Sequence, residues 1–223
     1  MQPGEDHLWL RDRPQLLAMI VRFHLVSPDF VHPGRAPDWL MAEVVREAAG
    51  TRRGWRRLCK ELCQWANLAG DGFVDFRPVY RRFALLDFAS LDRLVSLAGA
   101  VRLGRRLAKI VRRDELREIK NAIGHEAFEF ARQRAGFVAD ELAIDSLPAE
   151  VNPEVVKQLG WEQVAGCFSG DDARLTDRLL LKLPPDWTLP SSPAPPAIQR
   201  KATALFRRLL VTEVQPELAP CFK

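Results

Sequence analysis

Residues 86–134 read LDFASLDRLVSLAGAVRLGRRLAKIVRRDELREIKNAIGHEAFEFARQR, inside the longest proline-free run of the chain. Apolar residues recur here at helical spacing, and Ser90 stands where an N-cap is expected. Gly104 and Gly124 predict breaks or close helix contacts. The stretch therefore predicts helix almost throughout, and a helical protein built around it.

Cations recur in this stretch at gaps of three, one, three, three and one. They are Arg102, Arg105, Arg106, Lys109, Arg112 and Arg113. On one continuous helix these gaps place all six charges on one side. The apolar residues Leu103, Leu107, Ile110 and Val111 lie on or toward the other side. We expect a helix with one buried face and one basic face, and the six cations are candidate partner-binding residues.

A second basic face is predicted nearer the N-terminus. A helix beginning after Thr51 and running to about Leu68 carries a buried row of Trp55, Leu58, Cys59, Leu62, Cys63 and Ala66. Its exposed cations are Arg52, Arg53, Arg56, Arg57 and Lys60. The four arginines are further candidate partner-binding residues. The preceding helix is expected over Trp39–Ala49, with Asp38 as its N-cap.

The prolines mark the ends of helices and the connections between them. Pro153 and the pair Asp171 and Asp172 are placed to start helices. Residues 184–196 hold six prolines and predict an extended connection. Residues 73–78 are extended and fit a short strand, although no partner strand is evident. The expected fold is all-α: about ten helices joined by proline-rich loops, forming one domain over 1–223 or two lobes on a shared core.

Composition limits the class of protein. The chain has 223 residues, of which 47% are apolar, so it is neither disordered nor of low complexity. Its net charge of +4 is modest for a dedicated nucleic-acid binder. The charge is uneven, with +7 over residues 1–136 and −3 over 137–223. No secretory leader and no apolar run of about 20 residues is present, so a soluble cytosolic protein is expected.

The sequence offers little for catalysis. The histidines His7, His24, His32 and His125 are scattered, and no pair has metal-ligand spacing. Cys59 and Cys63 are expected to be small buried apolar residues in a reducing compartment. Cys167 has no marked histidine partner, and no phosphate-binding loop motif occurs. We predict a non-enzyme without a metal, cofactor or small-molecule substrate; a hydrolase would need an open pocket containing His125 or Cys167.

Four explanations of the basic faces remain open from the residues alone. They are a solvated surface with partial i,i+4 pairing, docking of an acidic protein, nucleic-acid binding, and binding to a membrane surface. No helix-turn-helix, zinc-finger or RNA-binding aromatic motif accompanies the cations. The apolar faces needed for lipid binding are expected to form the core. A salt-dependent shift of DNA or RNA would favour the nucleic-acid alternative.

Several packing patterns occur in a fixed order along the chain. The first runs through Leu86–Ala131, with Gly104-Arg-Arg-Leu-Ala-Lys-Ile-Val and then Leu116-Arg-Glu-Ile. The others are Val156-Lys-Gln-Leu-Gly-Trp, Arg178-Leu-Leu-Leu-Lys-Leu-Pro184 and the tail Leu205–Lys223 with its closing Phe222-Lys223. In this order they resemble the SctK family, the YscK-like accessory proteins of the type III secretion sorting platform. The resemblance covers roughly the last 140 residues; residues 76–223 form the family-like core, and residues 1–75 resemble the family only in being helical.

The resemblance implies a helical injectisome adaptor without catalytic residues. Members of the family bridge the cytosolic forkhead-associated domain of the inner-membrane ring protein SctD to the pod protein SctQ. The pods carry SctL and the export ATPase, which are therefore indirect partners. The implied location is the cytoplasm, peripheral to the inner membrane at the injectisome base, with membrane association only through partners and no nucleic acid.

Overall fold

A computed structural model describes residues 8–26, 30–68, 74–139 and 151–223, and this part of the chain is helical without a β-strand. The α-helices are α1 Pro14–Leu25, α2 Glu43–Ala49, α3 Arg52–Trp65, α4 Val79–Arg82, α5 Phe88–Leu107, α6 Arg113–Ile123, α7 His125–Gln133, α8 Ala135–Ala139, α9 Pro153–Phe168, α10 Ala173–Leu181 and α11 Pro196–Leu209. Short 3₁₀ turns lie at Leu8–Leu10, Pro33–Arg35, Asp38–Met41, Phe83–Leu85 and Pro216–Phe222, and a π-helical turn at Leu210–Val214. The predicted all-α class is confirmed.

Three predicted helix starts are formed by side-chain caps. Thr51 Oγ1 accepts a hydrogen bond from the Gly54 amide at 3.0 Å, at the start of α3. Asn152 caps α9 in the same way, with Pro153 in the first turn. Asp172 accepts from the Arg174 amide at 2.9 Å and begins α10. Each cap satisfies an amide that the helix itself leaves without a partner.

Three local predictions were wrong. The helix expected over Trp39–Ala49 is a 3₁₀ turn followed by α2, which begins only at Glu43. Ser90 does not cap a helix, because α5 already begins at Phe88 and Ser90 is buried inside it. Of the candidate strand over 73–78, residues 74–77 have no regular secondary structure, and Phe73 lies outside the described residues.

The chain divides into two compact units. Unit A comprises residues 1–88, 170–191 and 220–223, and unit B comprises 89–169 and 192–219. Each unit is therefore assembled from segments that are far apart in the sequence. A single domain over 1–223 stays a prediction.

Unit A holds its segments together with buried cations that donate to backbone carbonyls. Lys182, fully buried at the end of α10, donates from Nζ to the carbonyl oxygens of Ala84 and Leu86 at 2.6 Å each. The same ammonium lies 3.3 Å from the centre of the Phe30 ring. Arg178, one turn earlier, donates to the carbonyl of Leu68 at 3.0 Å. These bonds fasten α10 to the N-terminal segment.

Two further arginines of unit A, the buried Arg82 and the partly buried Arg35, also donate to backbone carbonyls. Arg82 is 3% exposed and donates to the carbonyls of Phe76, Arg77, Cys221 and Lys223. Its helix turn is thereby bonded to residues 220–223, where Phe222 stacks on Phe83 with ring centres 5.2 Å apart. Arg35 donates to the carbonyls of Leu183, Pro184, Pro185 and Trp187. The proline-rich connection after α10 is thus anchored by one guanidinium.

Unit B centres on the crossing of α5 with α9. A Cβ atom on Gly99 would lie 1.9 Å from the carbonyl oxygen of Val156, and one on Gly160 would lie 1.9 Å from that of Val95. Each helix thus places a glycine against the backbone of the other. On both helices this glycine comes four residues after the valine whose carbonyl is contacted. Such backbone contact requires residues without a Cβ. α11 packs against α9 on another side, and α6 and α7 pack on each other.

Candidate docking site

The central basic residues do not share one helix face, so that part of the prediction was wrong. α5 ends at Leu107, and α6 begins at Arg113. Arg102, Arg105 and Arg106 lie on α5, whereas Lys109 and Arg112 lie in the connection and Arg113 is the first residue of α6. Asp114 and Glu115 in the first turn of α6 favour a new helix start at this point. Val111, expected to be buried, is 87% exposed.

Two of the three α5 cations are partly buried in unit B. Arg102 donates to Glu162 of α9 at 2.5 Å, and its side chain is only 19% exposed. Arg106 is partly buried, with an Nε atom out of contact with solvent. Lys109, Arg112 and Arg113, by contrast, are exposed. The structure therefore separates the predicted set into Arg102 and Arg106, which are partly buried on α5, and Arg105, Lys109, Arg112 and Arg113, which are exposed.

The basic face of α3 is formed on one helix. Arg52, Arg53, Arg56, Arg57 and Lys60 are all exposed, and in the described ranges none of them makes an ion pair. The other side of α3 buries Leu58, Cys59 and Leu62, as the sequence predicted. Trp55 is only partly buried. Five neighbouring positive charges without local partners form a surface suited to an acidic partner.

A cleft lies beside this basic face. It has a volume of about 560 Å³ and runs between α2, α3 and the Asp38–Met41 turn. Its lining residues are Trp39, Val45, Ala48, Gly54, Arg57, Leu58 and Glu61. A second opening of about 220 Å³ shares Val45 and Leu58 with it. Trp39 and Met41, 37% and 55% exposed, leave apolar surface at the rim.

Close packing of α2 on α3 forms the floor of the cleft. A Cβ on Gly54 would lie 2.0 Å from the carbonyl oxygen of Ala48, so the helices meet where α3 has no side chain. The sequence predicted the cations of this site but missed the cleft. The signal that the sequence did carry is Gly54, a glycine inside a helix otherwise rich in arginine.

The residues considered for catalysis are not arranged for it. Cys167 is fully buried, and burial raises the pKa of its thiol to about 12, so a thiolate is disfavoured. Its polar neighbour is Thr203, with Sγ and Oγ1 4.0 Å apart. His125 is exposed and lies 3.7 Å from a carboxylate oxygen of Glu129. Neither residue lines either opening described above.

The cysteines and acidic residues of the described part form no metal site. No group of three or more His, Cys, Asp or Glu residues there is arranged to hold an ion. None of the four cysteines forms a disulfide; Cys59, Cys167 and Cys221 are buried and Cys63 is partly buried. Within the same ranges, none of the helices combines the length and the apolarity that crossing a bilayer requires.

Comparison with known proteins places the chain in a family. The model of the family described as YOP proteins translocation protein K (YscK) matches residues 24–223. A search of curated proteins and a search of solved structures each found no match. The family match includes α2, α3 and the cleft between them, so it reaches well into the N-terminal part where the sequence resemblance rested only on helical character.

Proposed function

Because this chain belongs to the YscK family of type III secretion proteins, we propose that it is an adaptor of the cytosolic sorting platform. In this role it links the forkhead-associated domain of SctD to the pod protein SctQ. SctL and the export ATPase are then indirect partners, reached through the pods. The observation that carries the proposal is the family match over nearly the whole chain.

The described surface supports binding rather than catalysis. The α3 cations have no local partners, and they stand beside an open apolar cleft. The connector cations Lys109, Arg112 and Arg113 form a second exposed group. Two separate basic surfaces, one in each unit, suit a protein that contacts two partners. The family is not known as a family of enzymes, and we assign the chain no substrate, cofactor or nucleic acid.

The proposed location is the cytoplasmic side of the inner membrane at the injectisome base. The chain would reach the membrane only through SctD. Expressed alone as a fluorescent fusion, it should be diffuse, and it should form foci at the cell envelope only when SctD is present. Foci that persist without SctD would contradict this placement.

Co-purification with the two proposed partners tests the function. The full chain should capture the cytosolic domain of SctD and, separately, SctQ. Reversal of Arg105 and Arg106 to Glu, Lys109 and Arg112 to Glu, and Arg53 and Arg57 to Glu should each be compared with the original chain. We expect at least one pair to weaken capture of one partner without loss of helicity. A chain that captures neither partner would refute the adaptor proposal.

A further inference from the structure

The exposed and cleft-facing residues of α3 form two parallel rows. The cleft row is Gly54, Leu58 and Glu61, and the residue before each of these is a cation, giving an edge row of Arg53, Arg57 and Lys60. Successive helical residues are turned by about 100°, so the edge row borders the cleft along its length. Of the edge row, Arg57 also lines the cleft itself.

The opposite wall of the cleft is apolar. Val45 and Ala48 of α2 and Trp39 of the preceding turn line it. The second opening continues this apolar surface past Val45 toward Leu40 and Met41. The acidic residues Glu43 and Glu47 are exposed on α2 but line neither opening. In cross-section the cleft has an apolar floor and far wall, and a positive edge on the α3 side.

We propose that this cleft binds an acidic amphipathic helix of a partner protein. Apolar residues at i, i+3, i+4 and i+7 of that helix enter the cleft, and its acidic residues face Arg53 and Arg57. A cleft between two packed helices matches the groove in which such helices bind. Glu61, at the other end of the cleft row, repels acidic groups and so directs them toward Arg53. The inference rests on the proposed function for the existence of a protein partner.

The same charges argue against a second copy of this chain as the occupant. A symmetric dimer through the cleft would bring two α3 edges of like charge together. Repulsion between opposed basic rows disfavours that arrangement. An acidic helix, by contrast, supplies the counter-charges that the described residues do not provide.

Four arginines of α3 offer a matched pair of variants. Arg53→Glu with Arg57→Glu reverses the edge beside the cleft. Arg52→Glu with Arg56→Glu makes the same change in net charge on the side of the helix turned away from the cleft. All four side chains are exposed, so neither double variant removes a buried contact. Circular dichroism should show unchanged helicity for both.

Binding is measured by fluorescence anisotropy with two labelled synthetic peptides. One peptide has Leu at i, i+3, i+4 and i+7 and Glu at most other positions; the second has Lys in place of Glu. The full chain should bind the Glu peptide and not the Lys peptide. Reversal of Arg53 and Arg57 should weaken binding on the order of tenfold, from lost pairs and new repulsion. Reversal of Arg52 and Arg56 should leave it within about threefold. Trp39→Ala should also weaken binding, because it shortens the apolar wall.

Several results would overturn the inference. Equal weakening by the two double reversals would indicate attraction to overall charge rather than docking in the cleft. Binding of the Lys peptide as tight as that of the Glu peptide would show that the basic edge does not select acidic groups, and would also overturn the inference. A concentration-dependent dimer that the Arg53 and Arg57 reversal dissolves would make a second copy the occupant.

A parallel capture experiment separates this inference from the proposed function. If the original chain captures SctD or SctQ and both double reversals capture them equally, the adaptor function stands and the cleft assignment fails. If the original chain captures neither partner but binds the Glu peptide with the expected variant pattern, the adaptor function fails and the cleft assignment stands. If capture of one partner is lost when Arg53 and Arg57 are reversed but kept when Arg52 and Arg56 are reversed, the result supports both the adaptor function and the cleft assignment.

Discussion

The crossing of α5 and α9 should not tolerate a single added methyl group on either glycine. In Gly99→Ala the new Cβ would start 1.9 Å from the carbonyl oxygen of Val156, and in Gly160→Ala it would start 1.9 Å from that of Val95. The helices must separate by roughly 1.5 Å to bring the new Cβ to van der Waals distance from that oxygen. α5 also buries Leu91, Leu94 and most of its other apolar residues, so separation loosens packing well beyond the substituted site.

The expected loss follows from two opposing effects. Overpacking of a well-packed core costs about 1–3 kcal/mol. The higher helix propensity of alanine, taken alone, stabilises the folded chain by about 0.5–1 kcal/mol relative to glycine. Because the contact here is with rigid backbone rather than a movable side chain, we expect each variant to lose about 2 kcal/mol of unfolding free energy. The double variant should lose less than the sum, since the first methyl already opens the crossing for the second.

Gly136→Ala is the matched control. A Cβ there would have no atom within 4 Å, so only the gain of about 0.5–1 kcal/mol from helix propensity remains. Urea unfolding followed by far-UV circular dichroism gives the free energies, and hydrogen exchange of α5 and α9 amides shows where stability is lost. If Gly99→Ala or Gly160→Ala is as stable as Gly136→Ala, or if the double variant loses the full sum, the reasoning is refuted.

Two further changes test unit A. Lys182→Met leaves the buried carbonyls of Ala84 and Leu86 without their donor. Although the substitution also removes a buried charge, we expect the free energy of unfolding to fall by about 2 kcal/mol. Urea unfolding measures this fall, and Lys201→Met, at an exposed lysine, is the control that should be close to neutral. Equal stability of these two variants would show that the ammonium does not fasten the segment. The hydrogen bond from Arg174 lowers the pKa of Asp172 to about 2, so its charge stabilises the folded chain above the ordinary carboxyl pKa, and this contribution disappears as the pH falls through about 2. The free energy of unfolding of the original chain should therefore exceed that of Asp172→Asn by a small amount that is constant above about pH 5 and vanishes toward pH 2. If the two chains still differ in stability at pH 2, the charge of Asp172 is not the cause.

Local signals predicted much of the fold. Thr51, Pro153 and Asp172 marked helix starts because capping depends on a few consecutive residues. Gly124 ended α6 with φ +85°, a conformation that favours glycine. Gly104 was expected at a break or close contact, and it is the contact: its Cβ would lie 2.5 Å from that of Ala135.

The break between α5 and α6 was missed because the cation spacing continues through it. Residues 108–112 contain neither proline nor glycine, so no residue there forbids a helix. The signal that was present is Asp114 with Glu115, which favours a helix N-terminus at Arg113. A spacing of three or four between charges does not require a continuous helix, since solvated arginines are compatible with many backbone conformations.

The cations that donate to backbone carbonyls in unit A could not be found from a local sequence pattern. The carbonyls that accept hydrogen bonds from Arg35 lie about 150 residues away in the sequence. They come together around its guanidinium only when unit A has folded. A partial signal exists for Arg178 and Lys182, which stand four apart in a row of leucines. On a helix that spacing puts both cations on one face, beside residues that must be buried.

The choice between the two basic surfaces depends on which cations already have partners. Docking through Arg102 would have to break its bond to Glu162, and reversing Arg102 to Glu would set two carboxylates beside each other where α5 meets α9. A loss of partner capture in that variant would therefore report packing as well as docking. The α3 arginines have no such bond to give up, and their charges can be reversed in pairs toward or away from the cleft. If the connector variant Lys109→Glu with Arg112→Glu loses a partner that both α3 variants retain, docking by that partner belongs to unit B, where the exposed Val111 supplies the apolar contact.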